Sequence, residues 1–254
     1  MSVELDIGVV NTSHLYGLFK LFKEYGKESD FIFTYDTPIN YLKGLNPDYK
    51  KGRQSPGDEY FIGYNLGREI LSQAGFIVLS REGYEADHLI IQAKNELVNY
   101  YDEVKVITND RDLAVVVDSK TTWVSTRKKQ GIIDLTNYEE ALACPYNAIH
   151  LKKALVGDPS DNLKGVYRFG EAKFKQFVID EELYNRDVYG SEQKIIEQTN
   201  LLDDTQKEQA LSDLRLITPL QVPNVNLDFR EIDWGYLLGV FELFQMKSLY
   251  KSIT

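Results

Sequence analysis

Seven acidic residues stand just after apolar runs or at the start of helical ones: Asp36, Glu85, Asp87, Asp110, Asp112, Asp158 and Asp161. Six of them form short-spaced pairs, Glu85/Asp87, Asp110/Asp112 and Asp158/Asp161. A lone pair at a helix start is ordinarily a cap or a dipole partner. Three pairs together with Asp36 are more than capping requires. If they converge, their mutual repulsion calls for cations. All-oxygen ligands favour magnesium or manganese over zinc. The chain offers no His/Cys cluster with zinc spacing, no Walker-type phosphate loop and no nucleophile-elbow serine. Two hard cations holding a phosphodiester between them can activate water and stabilise the leaving oxygen. The chemistry inferred is metal-dependent hydrolysis of a phosphate diester.

The elements that must position these acids follow from periodicity. Apolar runs at 3–10, 31–35, 76–79 and 104–108 read as strands, the first ending at Asn11 and the second at Asp36. Helical patterns lie between them, at 14–25, 60–74 and from the 83–88 stretch to about residue 101. Strands alternating with helices to about residue 118 predict a parallel α/β sheet, where ligands gather outside the carboxyl ends of strands. Short strands follow at 121–125 and 131–135, and from Asn137 the pattern is mostly helical, closing on a helix with Tyr236, Leu237, Val240, Phe241 and Phe244. The stretch 155–166 joins a helical run to a basic one, 164–175, and taken alone it reads first as a polar surface turn, a reading that the other acidic pairs change. The irregular stretch 37–58 holds Lys43, Lys50, Lys51 and Arg53. It reads either as a solvated loop or as a substrate-binding one.

Composition sets the outer bounds. The chain has 254 residues, 43% hydrophobic and 27% charged, as in an ordinary globular protein with one large domain or a core plus a smaller lobe. One cysteine, Cys144, excludes an intrachain disulfide and fits a reducing compartment. No signal peptide and no membrane-length apolar run is visible. The net charge of −10 argues against a general nucleic-acid binder. Carboxylates gathered around metal ions would account for part of it. His14 and His150 read as ordinary helix residues, Cys144 as a packing residue, and Trp123 and Trp234 as core. Tyr41, Tyr49, Phe61 and Tyr64 lie near the basic loop, where packing is favoured over stacking on a base.

Three stretches carry a resemblance. Glu85-Ala-Asp-His88, Thr108-Asn-Asp-Arg-Asp-Leu113 and Gly157-Asp-Pro-Ser-Asp-Asn-Leu-Lys-Gly-Val166 resemble motifs of the 5′-nuclease family. That family includes flap endonucleases, the 5′-nuclease domain of bacterial DNA polymerase I and phage 5′–3′ exonucleases. Its usual forms read roughly EADD, TGDKD and GDSSDNIPGV. Tyr49-Lys-Lys-Gly-Arg53 is similar to its YKxxR segment. The resemblance implies a PIN-like α/β core over residues 1–140 and a helical lobe over 141–254. That lobe would contain a helix–hairpin–helix-like DNA-binding motif. It implies two divalent ions, magnesium or manganese, on Asp36, Glu85, Asp87, Asp110, Asp112, Asp158 and Asp161, with Asn11 and His88 beside them. Lys50 and Arg53 would steady the scissile phosphate. DNA would be held by Lys50, Arg53, Lys164, Gly165, Arg168, Gly170 and Lys173, with potassium in the hairpin. The implied substrate is DNA with a 5′ end, flap or nick, or an RNA–DNA hybrid, in replication or repair. The implied protein is a monomer of the stand-alone phage type with no polymerase region, cytoplasmic (in the host if phage-encoded).

Three positions depart from the family pattern. Asn11 stands where the family's first Asp follows the first strand, and Asp6 lies five residues too early to replace it. His88 replaces the last Asp of EADD. Arg168 replaces one of two hairpin glycines, leaving Gly170. Asparagine brings no charge, and imidazole suits magnesium poorly. The first metal cluster is therefore expected to be weaker than the second, made by Asp110, Asp112, Asp158 and Asp161. An alternative function stays open: a catalytically weakened member that binds branched DNA or a partner. A ribonuclease of the wider PIN class is disfavoured by the duplex-binding pattern.

Overall fold

The computed structural model describes residues 2–5, 8–38, 41–45, 47, 51, 57–127 and 131–254, by backbone alone at 2–5, 8–14, 43 and 45. In chain order the elements are β1 (Ser2–Leu5), β2 (Gly8–Asn11), α1 (Thr12–Tyr25), β3 (Ile32–Thr34), α2 (Tyr41–Leu45), α3 (Asp58–Gln73), β4 (Ile77–Leu79), α4 (Ala86–Leu97) and β5 (Val104–Ile107). A 3-10 helix, Arg111–Val116, leads to β6 (Thr121–Val124) and β7 (Ile132–Ile133). Every described element beyond β7 is helical. These are α5 (Tyr138–Leu142), α6 (Ile149–Val156), α7 (Glu171–Asp180), a 3-10 turn at Leu183–Asn185, α8 (Glu192–Gln198), α9 (Asp204–Ile217), α10 (Trp234–Leu243) and α11 (Lys247–Ile253). The class is α/β. The chain forms two compact units, each drawn from residues on both sides of position 140.

One unit comprises Met1–Asp36, Arg53–Arg81 and Val225–Thr254. The run 3–10, expected as one strand, instead supplies residues to two, with β1 and β2 pairing antiparallel from Ser2↔Asn11 to Leu5↔Gly8. Each arm thereby supplies the backbone partners the other needs. β3 and β4 pair in parallel from Ile32↔Ile77 to Thr34↔Leu79. The apolar stripe of α1 buries Leu15, Phe19 and Phe22 almost completely. Phe22 stacks on Phe76 at 5.0 Å and meets Trp234 edge-on at 5.5 Å, while Phe19 lies 5.2 Å from Phe241. Aromatic contacts at these separations add to plain burial. The final apolar run is two helices. Gln245 takes φ 56 between them, and Met246 N–H bonds back to the Phe241 carbonyl at 2.7 Å.

The other unit comprises Thr37–Gly52 and Glu82–Asn224. β5 and β6 are parallel, and β7 adds antiparallel to β6. Their apolar sides, with the 3-10 helix and α6 to α9, enclose Leu113, Trp123, Leu151, Leu155, Phe174, Phe177 and Ile196. Cys144 is buried in the same core as a free thiol. α6 packs along α9. Among the described residues no helix is long and apolar enough to cross a membrane.

Candidate functional site

Each acidic pair in the second unit is set by its own local device. α4 begins after Glu85, whose extended backbone (φ −78, ψ 156) makes it the N-cap. Its carboxylate accepts from the His88 backbone, and His88 Nδ1 accepts the Glu85 N–H at 3.2 Å. This reciprocal box satisfies donors that a helix start leaves orphaned. It also places the proton of the neutral His88 ring on Nε2, because Nδ1 spends its lone pair on the backbone.

Asp110 caps the 3-10 helix, with its Oδ1 accepting from Asp112 N–H at 2.9 Å. The fully buried Trp123 donates its indole N–H to the Asp110 carbonyl at 2.8 Å. Asp110 and Asp112 therefore sit on a turn anchored from the core.

The turn after α6 is closed by backbone alone. Asp158 and Leu163 exchange hydrogen bonds of 3.1 and 2.9 Å, and Val166 N–H returns to the Leu155 carbonyl at 2.8 Å. Gly157 (φ +91) and Gly165 (φ +64) press against each other, and a β-carbon on Gly165 would lie 2.4 Å from Gly157 N. Gly165 N–H donates to Asp213 Oδ2 on α9 at 2.7 Å. Asp158 Oδ1 accepts from the Ser160 N–H (2.8 Å) and hydroxyl (2.7 Å).

These devices bring three carboxylates together. Asp112, Asp158 and Asp161 each offer an oxygen, and these oxygens all lie within 4.8 Å of one another. The ammonium of Lys153, from the last turn of α6, pairs with both Asp112 and Asp158. A cleft beside them is lined by Glu85, Asp87, His88, Asp110, Asp112, His150 and Asp161, with Leu42, Ile91, Leu113, Leu216, Ile217 and Pro219 as its apolar wall. Burial pushes the Asp112 carboxyl up to about 6; Lys153 opposes the rise, while Asp110 and Asp161 add to it. Burial also raises Asp158, but the Lys153 and Ser160 hydrogen bonds outweigh it and hold that carboxyl below its usual range. His150 is pushed down to about 4 by burial first and by the Lys153 charge second, so it is neutral at pH 7. Its Nδ1 is buried with no hydrogen-bond partner among the described residues. Three carboxylates around a single ammonium leave net negative charge in a half-dry site. Lys153 is a cation already held there, and the all-oxygen donor set fits a hard divalent ion.

Of the other expected site residues, Asp36 follows β3 in the first unit, where its N–H donates to the Tyr64 hydroxyl at 2.8 Å. Asn11 ends β2, with its side chain outside the described residues. Lys50 and Arg53 also lie outside them. Lys164, Arg168, Gly170 and Lys173 are exposed around the hairpin, and Gly165 is buried in it. Sequence reasoning missed Lys153, Asp213 and the cleft-facing role of His150. The available signal was the three-residue spacing of His150 and Lys153, which puts both on one face of α6 just before Asp158.

Comparison with known proteins identifies the family. The family described as 5′-3′ exonuclease, N-terminal resolvase-like domain, matches residues 7–143. The chain is similar to the 5'-3' exonuclease of Bacillus subtilis (31% identity, covering 69% of this chain and 58% of that one). It is similar to the 5'-3' exonuclease of Mycoplasma pneumoniae (28%, covering 90% and 82%). It also resembles DNA polymerase I of Mycobacterium tuberculosis, 34% identical over 139 residues, but spans only 15% of that protein's length. Among solved structures, the T5 D15 protein co-crystallised with metal ions superposes with a TM-score of 0.66 at 19% identity, covering 95% of this chain and 90% of that one. The catalytic core of Rad2 in complex with DNA substrate superposes at 0.55, with 16% identity and coverage of 96% and 84%. At these identities the structural likeness is one of fold.

Proposed function

The chain belongs to the 5′–3′ exonuclease family, and on that premise we propose that it is a divalent-metal-dependent 5′ nuclease hydrolysing phosphodiesters in DNA or RNA–DNA duplexes. The observation that carries this reading is the convergence of Asp112, Asp158 and Asp161 beside a cleft lined by four further titratable groups of the motifs, Glu85, Asp87, His88 and Asp110. A divalent ion bound there, magnesium or manganese, supplies charge for the developing oxyanion and acidity for the attacking water. Asp112, Asp158 and Asp161 hold that ion, and Asp110 fixes the turn that aims Asp112. Glu85 and Asp87 serve a second, weaker ion, because His88 offers a donor where the family has a carboxylate. Lys153 offsets carboxylate charge when no ion is bound and then competes with it. Lys164, Arg168 and Lys173 meet the phosphates of a duplex carrying a 5′ end, flap or nick. The functional halves are a nuclease core at 1–140 and a helical lobe at 141–254, acting as a monomer.

The test is cleavage of a 5′-labelled flap duplex in magnesium and then manganese, with wild type and Asp112→Asn. The wild type is expected to release short 5′ products. Changes to the outer partners of a metal ligand already cost about 10- to 100-fold, so Asp112→Asn is expected to lose about 100-fold or more. No cleavage with either ion, by protein shown to be folded, overturns the reading. One observation favours a second reading, a branched-DNA-binding protein with weak or no cleavage: the His88 imidazole is committed to capping α4. That reading expects duplex binding without products in the wild type.

A further inference from the structure

Away from the cleft, the helical part of the second unit buries oxygens that no hydrogen bond satisfies. Asn147, just before α6, and Glu192, the first residue of α8, are each 4% exposed. Asn147 Oδ1 and Glu192 Oε1 are buried with no hydrogen-bond partner among the described residues. Neither residue lines the cleft, and neither belongs to the Asp112, Asp158 and Asp161 cluster. Buried polar atoms are nearly always paired, so two orphans in one region call for a physical cause.

Asp187 connects the two. Its Oδ1 accepts from Asn147 Nδ2 and from the Tyr189 N–H, both at 3.1 Å. The first of these bonds fixes the Asn147 amide: its nitrogen faces the carboxylate, so its oxygen is the atom left over. Asn147 takes φ 57, a left-handed conformation that asparagine tolerates better than most residues. The Tyr189 ring lies 6.0 Å from the His150 ring on α6, which keeps this loop against that helix. Burial first, and the Asp187 charge after it, push the Glu192 carboxyl up, while backbone hydrogen bonds from residues 190–192 oppose the rise. Among the described residues no lysine or arginine pairs with Asp187 or Glu192. The orphans are both acceptors, and two acids of like charge act on each other beside them. A water would supply hydrogen bonds but leave the like charges uncompensated; a cation answers both. Two carboxylates and an amide carbonyl are a donor mixture that calcium accepts, with water completing its shell, whereas magnesium gives up its own water reluctantly.

We propose that Asn147 Oδ1, Glu192 Oε1 and the Asp187 carboxylate form a structural site for a hard divalent cation of calcium's size, which ties the loop before α8 to the loop before α6. Asp187 is exposed and gives the ion its way in from solvent. The far end of α6 carries Lys153 and leads into the turn of Asp158, so the ion braces that helix from the end opposite the cleft. The site is separate from the hydrolytic one and stands whether or not the chain cleaves DNA.

The experiment is thermal unfolding of the full chain, stripped with EDTA and then titrated with calcium, magnesium or potassium chloride at matched ionic strength. It compares wild type, Glu192→Gln and Asn147→Asp. In EDTA, Glu192→Gln is expected to melt above wild type, because a buried acid without a counter-charge is gone. With calcium at about 100 times its dissociation constant, wild type is expected to gain about 5 °C more than Glu192→Gln. Calcium held by Asp112, Asp158 and Asp161 stabilises both proteins equally, so the difference reports the second site. Asn147→Asp sets a carboxylate against Asp187 and is expected to melt below wild type in EDTA and to gain more from calcium. If Asn147→Asp does not fold, the comparison of wild type with Glu192→Gln decides alone. Equal calcium gains in those two proteins overturn the site. A difference that appears only with potassium overturns the divalent assignment.

Discussion

Lys153 is the residue on which the charge balance of the site turns. Its ammonium lies between two carboxylates whose side chains are 18% and 14% exposed. Burial alone would lower the Lys153 pKa, but Asp112 and Asp158 raise it above the usual lysine value. Removing one partner of a buried ion pair leaves uncompensated charge, which costs about 3 kcal/mol. Lys153→Met is therefore expected to lose about that much stability in urea unfolding with a chelator present. Magnesium should restore a large part of it, because a divalent ion can take over the ammonium's electrostatic task. An equal loss with and without magnesium would show that Lys153 only packs. The acids around it were legible in the sequence, because motif spacing marks carboxylates directly. Lys153, His150 and Asp213 were not. The face of α6 that brings His150 and Lys153 to the turn is hinted at only by their three-residue spacing, and Asp213 arrives from α9, which no local spacing marks. His88 was legible as a departure, but the atom it commits to the backbone became visible only in the capping geometry of α4.

At the scale of the element, the turn from α6 to α7 is held by the contact of two glycines. A β-carbon on Gly165 would meet Val156 C at 2.5 Å and Gly157 N at 2.4 Å, all of it backbone that cannot swing aside. Gly165→Ala is expected to cost about 3 kcal/mol or more and to abolish cleavage through displacement of Asp158. Circular dichroism melts and a cleavage assay would check both, and a stable, active variant would contradict the geometry. α8 offers a pH-dependent counterpart. Glu192, at its first turn, is 4% exposed, and burial raises its pKa above 4.5 despite backbone hydrogen bonds and with help from Asp187. A carboxyl with a raised folded-state pKa contributes stability that is fully present below the unfolded value and lost as pH climbs through the folded one. Glu192→Gln is thus expected to melt higher than wild type at pH 7, with the gap closing below about pH 4. A gap that persists in acid would point to packing instead. The alternation of strands and helices up to β5 could be read from the sequence, whereas the fold-back of residues 3–10 could not. In that run Val3, Leu5 and Ile7 alternate with Glu4, Asp6 and Gly8, and such an alternation carries the same signal whether the run is straight or doubled.

At the scale of the whole molecule, two units hold separate cores, one rich in stacked phenylalanines and one built on Trp123 and the helices around it. A net charge of −10 looked contrary to binding a polyanion. Its resolution is spatial, with acids gathered at one cleft and cations exposed along the hairpin. That segregation was not legible from totals, though the order of acidic and basic stretches hinted at it. The two tryptophans are also divided, one to each unit. Trp123 donates its indole N–H to the peptide carbonyl of Asp110, whereas Trp234 lies among phenylalanines under the Lys27 ammonium at 5.4 Å. The protein therefore carries built-in optical reporters. In a Trp234→Phe variant the remaining emission comes from an indole hydrogen-bonded to the turn that aims Asp112. Its intensity or wavelength should change on titration with magnesium, giving the ion's affinity without substrate or label. The Trp123→Phe counterpart should stay silent in the same titration.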